Sequence, residues 1–286
     1  TRTDLPIAAL DKRPGEPGRA DITMTLEDGR IRSVDEFYGK LIVSTVTGRG
    51  TRRPDGSGWE TGTIEARLAL PDHRDRPATC TLDFSPTGKA SRFAFAIDDL
   101  GQFLKAAGSR VGCEGGSLTW TGTARIDDPA FPIEGELHMT PYIITKSFLV
   151  ARIATLGSIS GVRKALSGRG IPIDETRARL THRDGDLLIE NGLMIGPSLA
   201  FYMAGSWDLS GPTVDLEGDL APSYFGTNRA LNRVPLVGDT LTGGGKGIQA
   251  VHWTARGPAA DPKVKVSKLA SLAPGPLRQL LQGLTP

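Results

Sequence analysis

The chain has 286 residues, of which 38% are hydrophobic and only 6% aromatic, with 36 glycines and 20 prolines that favour turns. Its 34 basic and 32 acidic residues leave a formal charge of +2, which argues against a dedicated nucleic-acid surface. No run approaches the ~20 apolar residues that a membrane-spanning helix needs, and the first residues lack a signal-peptide pattern. The chain begins with Thr1 and not with Met, so we expect a piece of a longer protein.

The first 145 residues are dominated by strand signals. Residues 1–19 are rich in proline, glycine and charge and read as an irregular lead-in, and residues 20–145 follow as a β-rich groove segment. Asp-Gly pairs at 28–29 and 55–56, and again at 184–185 in the second half, indicate tight hairpin turns, because such turns need positive φ. The predicted topology is therefore a meander. The predicted strands are Asp21–Leu26, Gly39–Thr47, Thr61–Leu70, Thr79–Phe84, Ser91–Ile97, Gly116–Ile126 and Ile133–Met139.

Three segments carry helical spacing. Asp98–Ala107 has an apolar stripe, with Asp98 or Asp99 placed to cap it. Lys146–Ser167 is the only long helical region, but glycines and serines at 157–161 predict a break into a hairpin or kinked pair, with a serine capping the second helix. This pair either covers one end of the sheet or acts as a lid. Leucines at 277, 280, 281 and 284 predict a short amphipathic helix at the C-terminal end.

Apolar and polar residues alternate in strand-length segments between Asp186 and Val266. A period of two predicts a sheet with one apolar and one polar face. The fold predicted from all segments is mainly β: an elongated, curled antiparallel sheet, forming a groove or a partly open barrel, with the helical pair and the C-terminal helix. Packing in a closed sandwich core is the alternative role for the apolar side chains. The residues predicted to line the groove and contact lipid are Leu187, Ile189, Leu199, Phe201, Met203, Val214 and Leu216.

Residue types that carry catalysis or metal binding are scattered along the chain. The four histidines are far apart, and none pairs with another at metal-ligand spacing. Asp215, Glu217 and Asp219 share one face of a strand, which we interpret as a solvated face and not as paired catalytic acids. The glycine run at 243–247 lacks the order of a phosphate-binding loop. We therefore expect no catalytic residue, metal or cofactor.

Two further features keep alternatives open. Cys80 and Cys113 lack metal-ligand spacing and are interpreted as small buried residues, with a disulfide bridge as the alternative. Basic residues cluster at 49–53 and 163–169, which is typical of solvated turns and helix ends. The alternative is that these cations meet phosphate headgroups at the rim of the apolar face.

Short phrases in the second half follow one another in a specific order. They are Ile153-Ala-Thr-Leu-Gly-Ser-Ile-Ser-Gly-Val162, Leu166-Ser-Gly-Arg-Gly-Ile-Pro172, Asp184-Gly-Asp-Leu-Leu-Ile189, Gly196-Pro-Ser-Leu-Ala200, Val214-Asp-Leu-Glu-Gly218, Val234-Pro-Leu-Val-Gly238, Asp261-Pro262 and Leu272-Ala-Pro-Gly275. In that order they resemble the C-terminal region of AsmA-like proteins, especially the YhdP-like branch. The resemblance is densest over 146–281 and extends to 90–286.

The resemblance implies a role in the envelope of Gram-negative bacteria. AsmA-like proteins of this branch are anchored in the inner membrane and cross the periplasm as a curled sheet with an apolar groove. Residues 146–286 would be the AsmA-like C-terminal segment, continuous with 20–145, periplasmic and distal to an anchor that lies outside this chain. The implied function is noncatalytic conduction of phospholipid between the inner and outer membranes.

The expected partners follow from that resemblance. They are phospholipid or fatty acyl chains and an outer-membrane or envelope protein, with no nucleic acid. The alternative hypothesis is a structural or docking cap that binds an outer-envelope partner and has no lipid-accessible groove.

Overall fold

The computed structural model describes residues 19–24, 29–31, 41–52, 59–69, 77–106, 109, 111–125, 127–128, 130–211, 213–222 and 251–268. Residues 1–18 of the predicted lead-in, the glycine run at 243–247 and the predicted C-terminal helix lie outside these residues, whereas Arg19 begins the first strand. So do the Asp-Gly turn at 55–56 and the first residue of the turn at 28–29.

The described residues form 17 strands and three helices, which confirms a mainly β fold. In chain order the elements are β1 (Arg19–Met24), β2 (Gly29–Ile31), β3 (Leu41–Arg52), β4 (Trp59–Ala69), β5 (Ala78–Thr87), β6 (Ala90–Ile97), α1 (Leu100–Ala106), β7 (Gly112–Glu114), β8 (Leu118–Arg125), β9 (Ile133–Met139), β10 (Tyr142–Lys146), α2 (Phe148–Leu156), α3 (Ser160–Ser167), β11 (Ile171–Ile173), β12 (Glu175–Arg183), β13 (Asp186–Ile195), β14 (Leu199–Asp208), β15 (Thr213–Pro222), β16 (Val251–Pro258) and β17 (Lys263–Lys268).

One 14-stranded antiparallel sheet contains most of the strands. Its order is β1-β3-β4-β5-β6-β8-β9-β12-β13-β14-β15-β16-β17, with β2 paired to β3. Neighbours in the sheet are mostly neighbours in the chain, so the predicted meander is correct over long stretches. In the described part of the chain the sheet is not closed into a barrel, because β1 and β17 form its two ends.

Three short strands form a second sheet, with the order β11-β10-β7, that the sequence did not predict. They interrupt the meander twice, because β6 pairs with β8 and β9 pairs with β12. The hydroxyl of Tyr142 on β10 lies 2.8 Å from the hydroxyl of Thr176 on β12, which ties the small sheet to the large one. The small sheet and the three helices together form what we call the second layer.

The turn between β12 and β13 illustrates how local chemistry sets the register. Asp184 has φ 52° and Gly185 has φ 89°, so both turn residues are left-handed. Two such residues make the hairpin turn that an Asp-Gly pair favours. The turn predicted at 184–185 is confirmed.

The helices begin and end close to the predicted positions. The Asp99 carboxylate accepts a hydrogen bond from the backbone N–H of Gln102 at 2.9 Å, so it caps α1 as predicted. The long helical region does break, into α2 and α3, which we call the helical pair. The predicted serine cap of the second helix is wrong: Ile159 occupies that position and supplies no side-chain hydrogen bond, whereas Ser147 caps α2.

Candidate apolar binding face

The register places apolar side chains on one face of the large sheet from β4 to β17. Residues paired directly across antiparallel strands lie on the same face. Ile189, for example, pairs with Gly205, Gly205 with Leu216, and Leu216 with Ala255. The members of this apolar face are Ile64, Ala66, Leu68, Ala78, Cys80, Leu82, Phe84, Pro86, Phe93, Phe95, Ile97, Leu118, Trp120, Ala124, Ile133, Leu137, Met139, Ala178, Leu180, Leu187, Ile189, Met194, Leu199, Phe201, Met203, Trp207, Val214, Leu216, Leu220, Val251, Trp253, Ala255, Val264 and Val266.

Polar residues on this face are few within the described strands. Ser91, Thr176, His182 and Lys268 share rows with its apolar members. Ser91 and Thr176 are buried. The face therefore continues across 11 neighbouring strands of the sheet.

The opposite face carries charges that pair both within a strand and between neighbouring strands. Arg177 Nη2 lies 2.7 Å from the Glu175 carboxylate, and His138 Nε2 lies 2.8 Å from the same group. Arg256 Nε lies 2.8 Å from Asp215. Exposed pairs of this kind contribute little stability, so their main consequence is a hydrated surface. The sheet has one hydrated, polar face and one apolar face, as the alternation of apolar and polar residues predicted.

All seven residues predicted to contact lipid lie on the apolar face, but most of them are covered by the second layer. Leu199 is 1% exposed and Phe201 is 3% exposed. Five of the seven belong to one buried cluster that includes Ile153 of α2 and Val162 of α3; the five are Ile189, Leu199, Phe201, Val214 and Leu216. Leu187 and Met203 are half-buried at the margin of that cluster.

The covered region is a packed core. The rings of Phe201 and Trp253 stack with centroids 5.1 Å apart and planes at 21°. Gly218 makes this possible, because a Cβ there would meet Cζ2 of Trp253 at 2.9 Å. A glycine inside a strand is typical of such close approach. Over β13–β17 the apolar side chains thus contact protein, whether or not they ever contact lipid.

The part of the apolar face on β4–β9 is more open. Ile64 is 39% exposed, and Leu82, Phe84, Phe93 and Phe95 are half-buried. Trp120 and Leu137 continue this half-buried region on the next two strands. They were not among the residues expected to contact lipid. The alternation of apolar and polar residues in the predicted strands at 116–126 and 133–139 was the signal that could have identified them. We call this region the open patch.

Helix α1 covers only one end of these strands. Ala106 of α1 packs with Leu68, Cys80 and Ile97 in a small second cluster. Further along the strands, Phe93 contacts Trp120 edge-on, with ring centroids 5.0 Å apart. The open patch therefore begins beyond the strand ends that α1 covers.

The polar side chains that could act as catalytic acids do not converge on a reaction centre. Asp215 and Glu217 are exposed, as expected, but Asp219 is only 5% exposed and lies 3.0 Å from Nδ1 of His252. The prediction of a fully solvated acidic row was therefore wrong at Asp219, because pairing with His252 on the neighbouring strand satisfies a buried carboxylate. No group of three or more metal-ligating side chains occurs among the residues described.

The two cysteines are buried and unbridged, which confirms the simpler interpretation. Burial raises the pKa of Cys80 to about 12 and that of Cys113 to about 11. Since the thiolate is the reactive form of cysteine, neither thiol is poised for nucleophilic chemistry.

A shallow depression of about 520 Å³ lies over β3–β6. Thr63, Asp83 and Arg92 of the polar side line it together with Gly62 and Phe93. Pockets for small molecules are concave and mostly apolar with a few polar groups, and this shallow depression with its mixed lining lacks those features.

No family model, curated protein or solved structure matches the chain. No helix within the described ranges is long and apolar enough to cross a bilayer.

Proposed function

We propose that this chain is a noncatalytic module that holds the acyl chains of phospholipid against the apolar face of its large sheet. The observation that supports this proposal most strongly is the continuity of the face over β4–β17, with an open patch at β4–β9. Large apolar patches on a protein surface are typical of interaction sites.

The dimensions of the open patch suit an acyl chain. Its five neighbouring strands, β4, β5, β6, β8 and β9, span ~19 Å at ~4.8 Å per strand spacing. One leaflet of a bilayer is ~15 Å of hydrocarbon, which is half of the ~30 Å core. Because each buried methylene contributes ~0.8 kcal/mol, covering even part of such a chain would stabilise the bound state substantially.

The proposal gives the covered and open regions different roles. The five buried residues of the predicted set hold the second layer in place, so an acyl chain can reach them only if that layer moves. Phe93, Phe95 and Ile64 need no such movement. We therefore assign the first acyl contacts to the open patch.

The cellular role remains the one that the resemblance to AsmA-like proteins implies. In that role the module lies in the periplasm as the distal part of a protein anchored in the inner membrane, and moves phospholipid between the two membranes of a Gram-negative envelope.

The docking cap is the second candidate function, and the buried cluster that the second layer forms with strands β13–β17 favours it. A cap predicts that purified protein carries no lipid. A carrier predicts co-purified phospholipid or fatty acid.

Native mass spectrometry of gently purified protein distinguishes these two functions. Phe95→Asp places a charge in the open patch, whereas Leu188→Asp places the same charge on the polar side, where Leu188 is 41% exposed. We expect lipid adducts on the wild type and on Leu188→Asp, and few on Phe95→Asp. Lipid-free wild-type protein, or equal adducts on both variants, would contradict the carrier function.

A further inference from the structure

The helical pair has an outward side that the fold does not bury. Helix α2 packs Val150, Ile153 and Ala154 inward. Phe148 and Leu156 are each 49% exposed. They lie four residues before and after Arg152, and residues four apart share one side of a helix. The outer side of α2 therefore presents two large apolar side chains around a cation.

The same segment has an unusual charge balance. Between residues 137 and 173 there are five basic and no acidic residues, in a chain where the totals are 34 and 32. Three of these basic residues, Arg163, Lys164 and Arg169, are exposed, which argues against a role inside the core. The five are Lys146, Arg152, Arg163, Lys164 and Arg169.

An acidic residue of another element faces this surface. Asp261, in the turn between β16 and β17, accepts a hydrogen bond from Nη1 of Arg152 at 2.9 Å. Within the described part of the chain no ion pair involves Arg163, Lys164 or Arg169. The helical pair and the residues directly after it therefore keep a net positive charge after the Arg152–Asp261 ion pair is counted.

The helical pair lies over the last strands of the sheet. A Cβ on Gly157 would meet Cγ1 of Val251 on β16 at 3.0 Å, and α2 also packs against β17. Because the inner side of the pair is fixed there, Phe148 and Leu156 point away from the apolar face. The outward surface is distinct from the open patch on β4–β9.

The size and chemistry of the surface fit a bilayer better than a protein. The nine residues of α2 span ~14 Å, and two adjacent helices are ~20 Å across. The outward side of the pair therefore has a footprint of about 280 Å². A stable protein interface needs about 800 Å² on each partner. A bilayer surface instead takes separate apolar anchors into its headgroup region, while basic side chains meet anionic phosphates.

We propose that the outward side of the helical pair docks on the surface of a bilayer that contains anionic phospholipid. This docking goes beyond the proposed lipid carriage, since contact with headgroups does not require an acyl chain on the apolar face. It would place the helical pair between the membrane and the apolar face of the last strands.

Sedimentation with large unilamellar vesicles tests the electrostatic contribution to membrane docking. We expect the full 286-residue chain to bind phosphatidylcholine vesicles that contain phosphatidylglycerol, and to bind pure phosphatidylcholine vesicles much less. Replacing Arg163→Gln and Lys164→Gln together should lower partitioning roughly 30-fold, because each basic residue near an anionic surface contributes about fivefold. The matched control is Lys263→Gln with Lys265→Gln, which removes the same charge from exposed positions on the polar face of β17, on the side of the sheet opposite the helical pair.

A second pair of variants tests whether the apolar side chains of Phe148 and Leu156 contribute to vesicle binding. Phe148→Ser with Leu156→Ser should also reduce vesicle binding, whereas Leu188→Ser, on the polar face, should not. Circular dichroism and the thermal midpoint of each variant show whether the fold is retained.

Three outcomes overturn the docking proposal: wild-type protein that does not sediment with anionic vesicles, equal binding to neutral vesicles, or an equal loss in the Lys263 and Lys265 control. Lipid bound on the apolar face is read separately by native mass spectrometry, so failure of docking and failure of carriage are distinguishable.

Discussion

Two phenylalanines on the same face of the sheet should respond very differently to truncation. Phe201 is 3% exposed and stacks on Trp253 beneath the second layer, whereas Phe93 is half-buried in the open patch. Phe201→Ala removes a fully packed ring and leaves a cavity, so we expect it to lower the free energy of unfolding by about 3–5 kcal/mol. Phe93→Ala loses partial burial and one edge-on contact with Trp120, worth about 1–2 kcal/mol.

Urea unfolding followed by circular dichroism measures the difference. Leu188→Ala on the polar face is the control, and an exposed substitution of this kind changes stability by less than ~0.5 kcal/mol. The comparison uses transition midpoints at unchanged slope, since a changed slope signals loss of two-state behaviour. If Phe201→Ala and Phe93→Ala cost the same within about 1 kcal/mol, the distinction between a sealed core and an open patch is wrong.

The remaining predictions concern the titratable groups. Because burial raises the pKa values of Cys80 and Cys113, we expect no labelling of either thiol by a thiol reagent at about pH 8 until denaturant is added; rapid labelling of the folded protein would contradict their burial. Partial burial raises the pKa of Glu175, but hydrogen bonds from Arg177 and His138 outweigh it and hold that pKa below its ordinary value. A depressed carboxyl pKa stabilises the fold above the unfolded value of ~4.3 and loses this effect as the pH falls through the folded value. Glu175→Gln should therefore lower the thermal midpoint at neutral pH and converge with the wild type in acid, and a constant difference down to about pH 3 would refute this assignment.

Much of the sheet could be predicted because alternation reports directly which side of a strand is apolar. The seven predicted residues share one face for this reason, and the Asp184-Gly185 turn fixes their register. The break in the helical pair was likewise visible in its glycines and serines. In each case the signal is local in the chain.

The cover over that face was not visible, because the same alternation results whether protein or lipid lies against the apolar side. Phe201 and Phe93 have similar sequence surroundings, and only tertiary packing separates them. The strands of the small sheet that carries Tyr142 are three to five residues long, which is too short to show an alternating pattern in the sequence. The burial of Asp219 depends on His252, which is distant in sequence.

Site-specific photocrosslinking tests most directly whether hydrocarbon occupies the apolar face. A photoreactive phenylalanine analogue is placed at Phe93 in the open patch and, as a control, at Leu188 on the polar side; the protein is irradiated in Gram-negative cells and its adducts are identified by mass spectrometry. The proposed function predicts phospholipid or fatty acyl adducts at position 93 and none at position 188. Absence of adducts at 93, or equal yields at both positions, would contradict it.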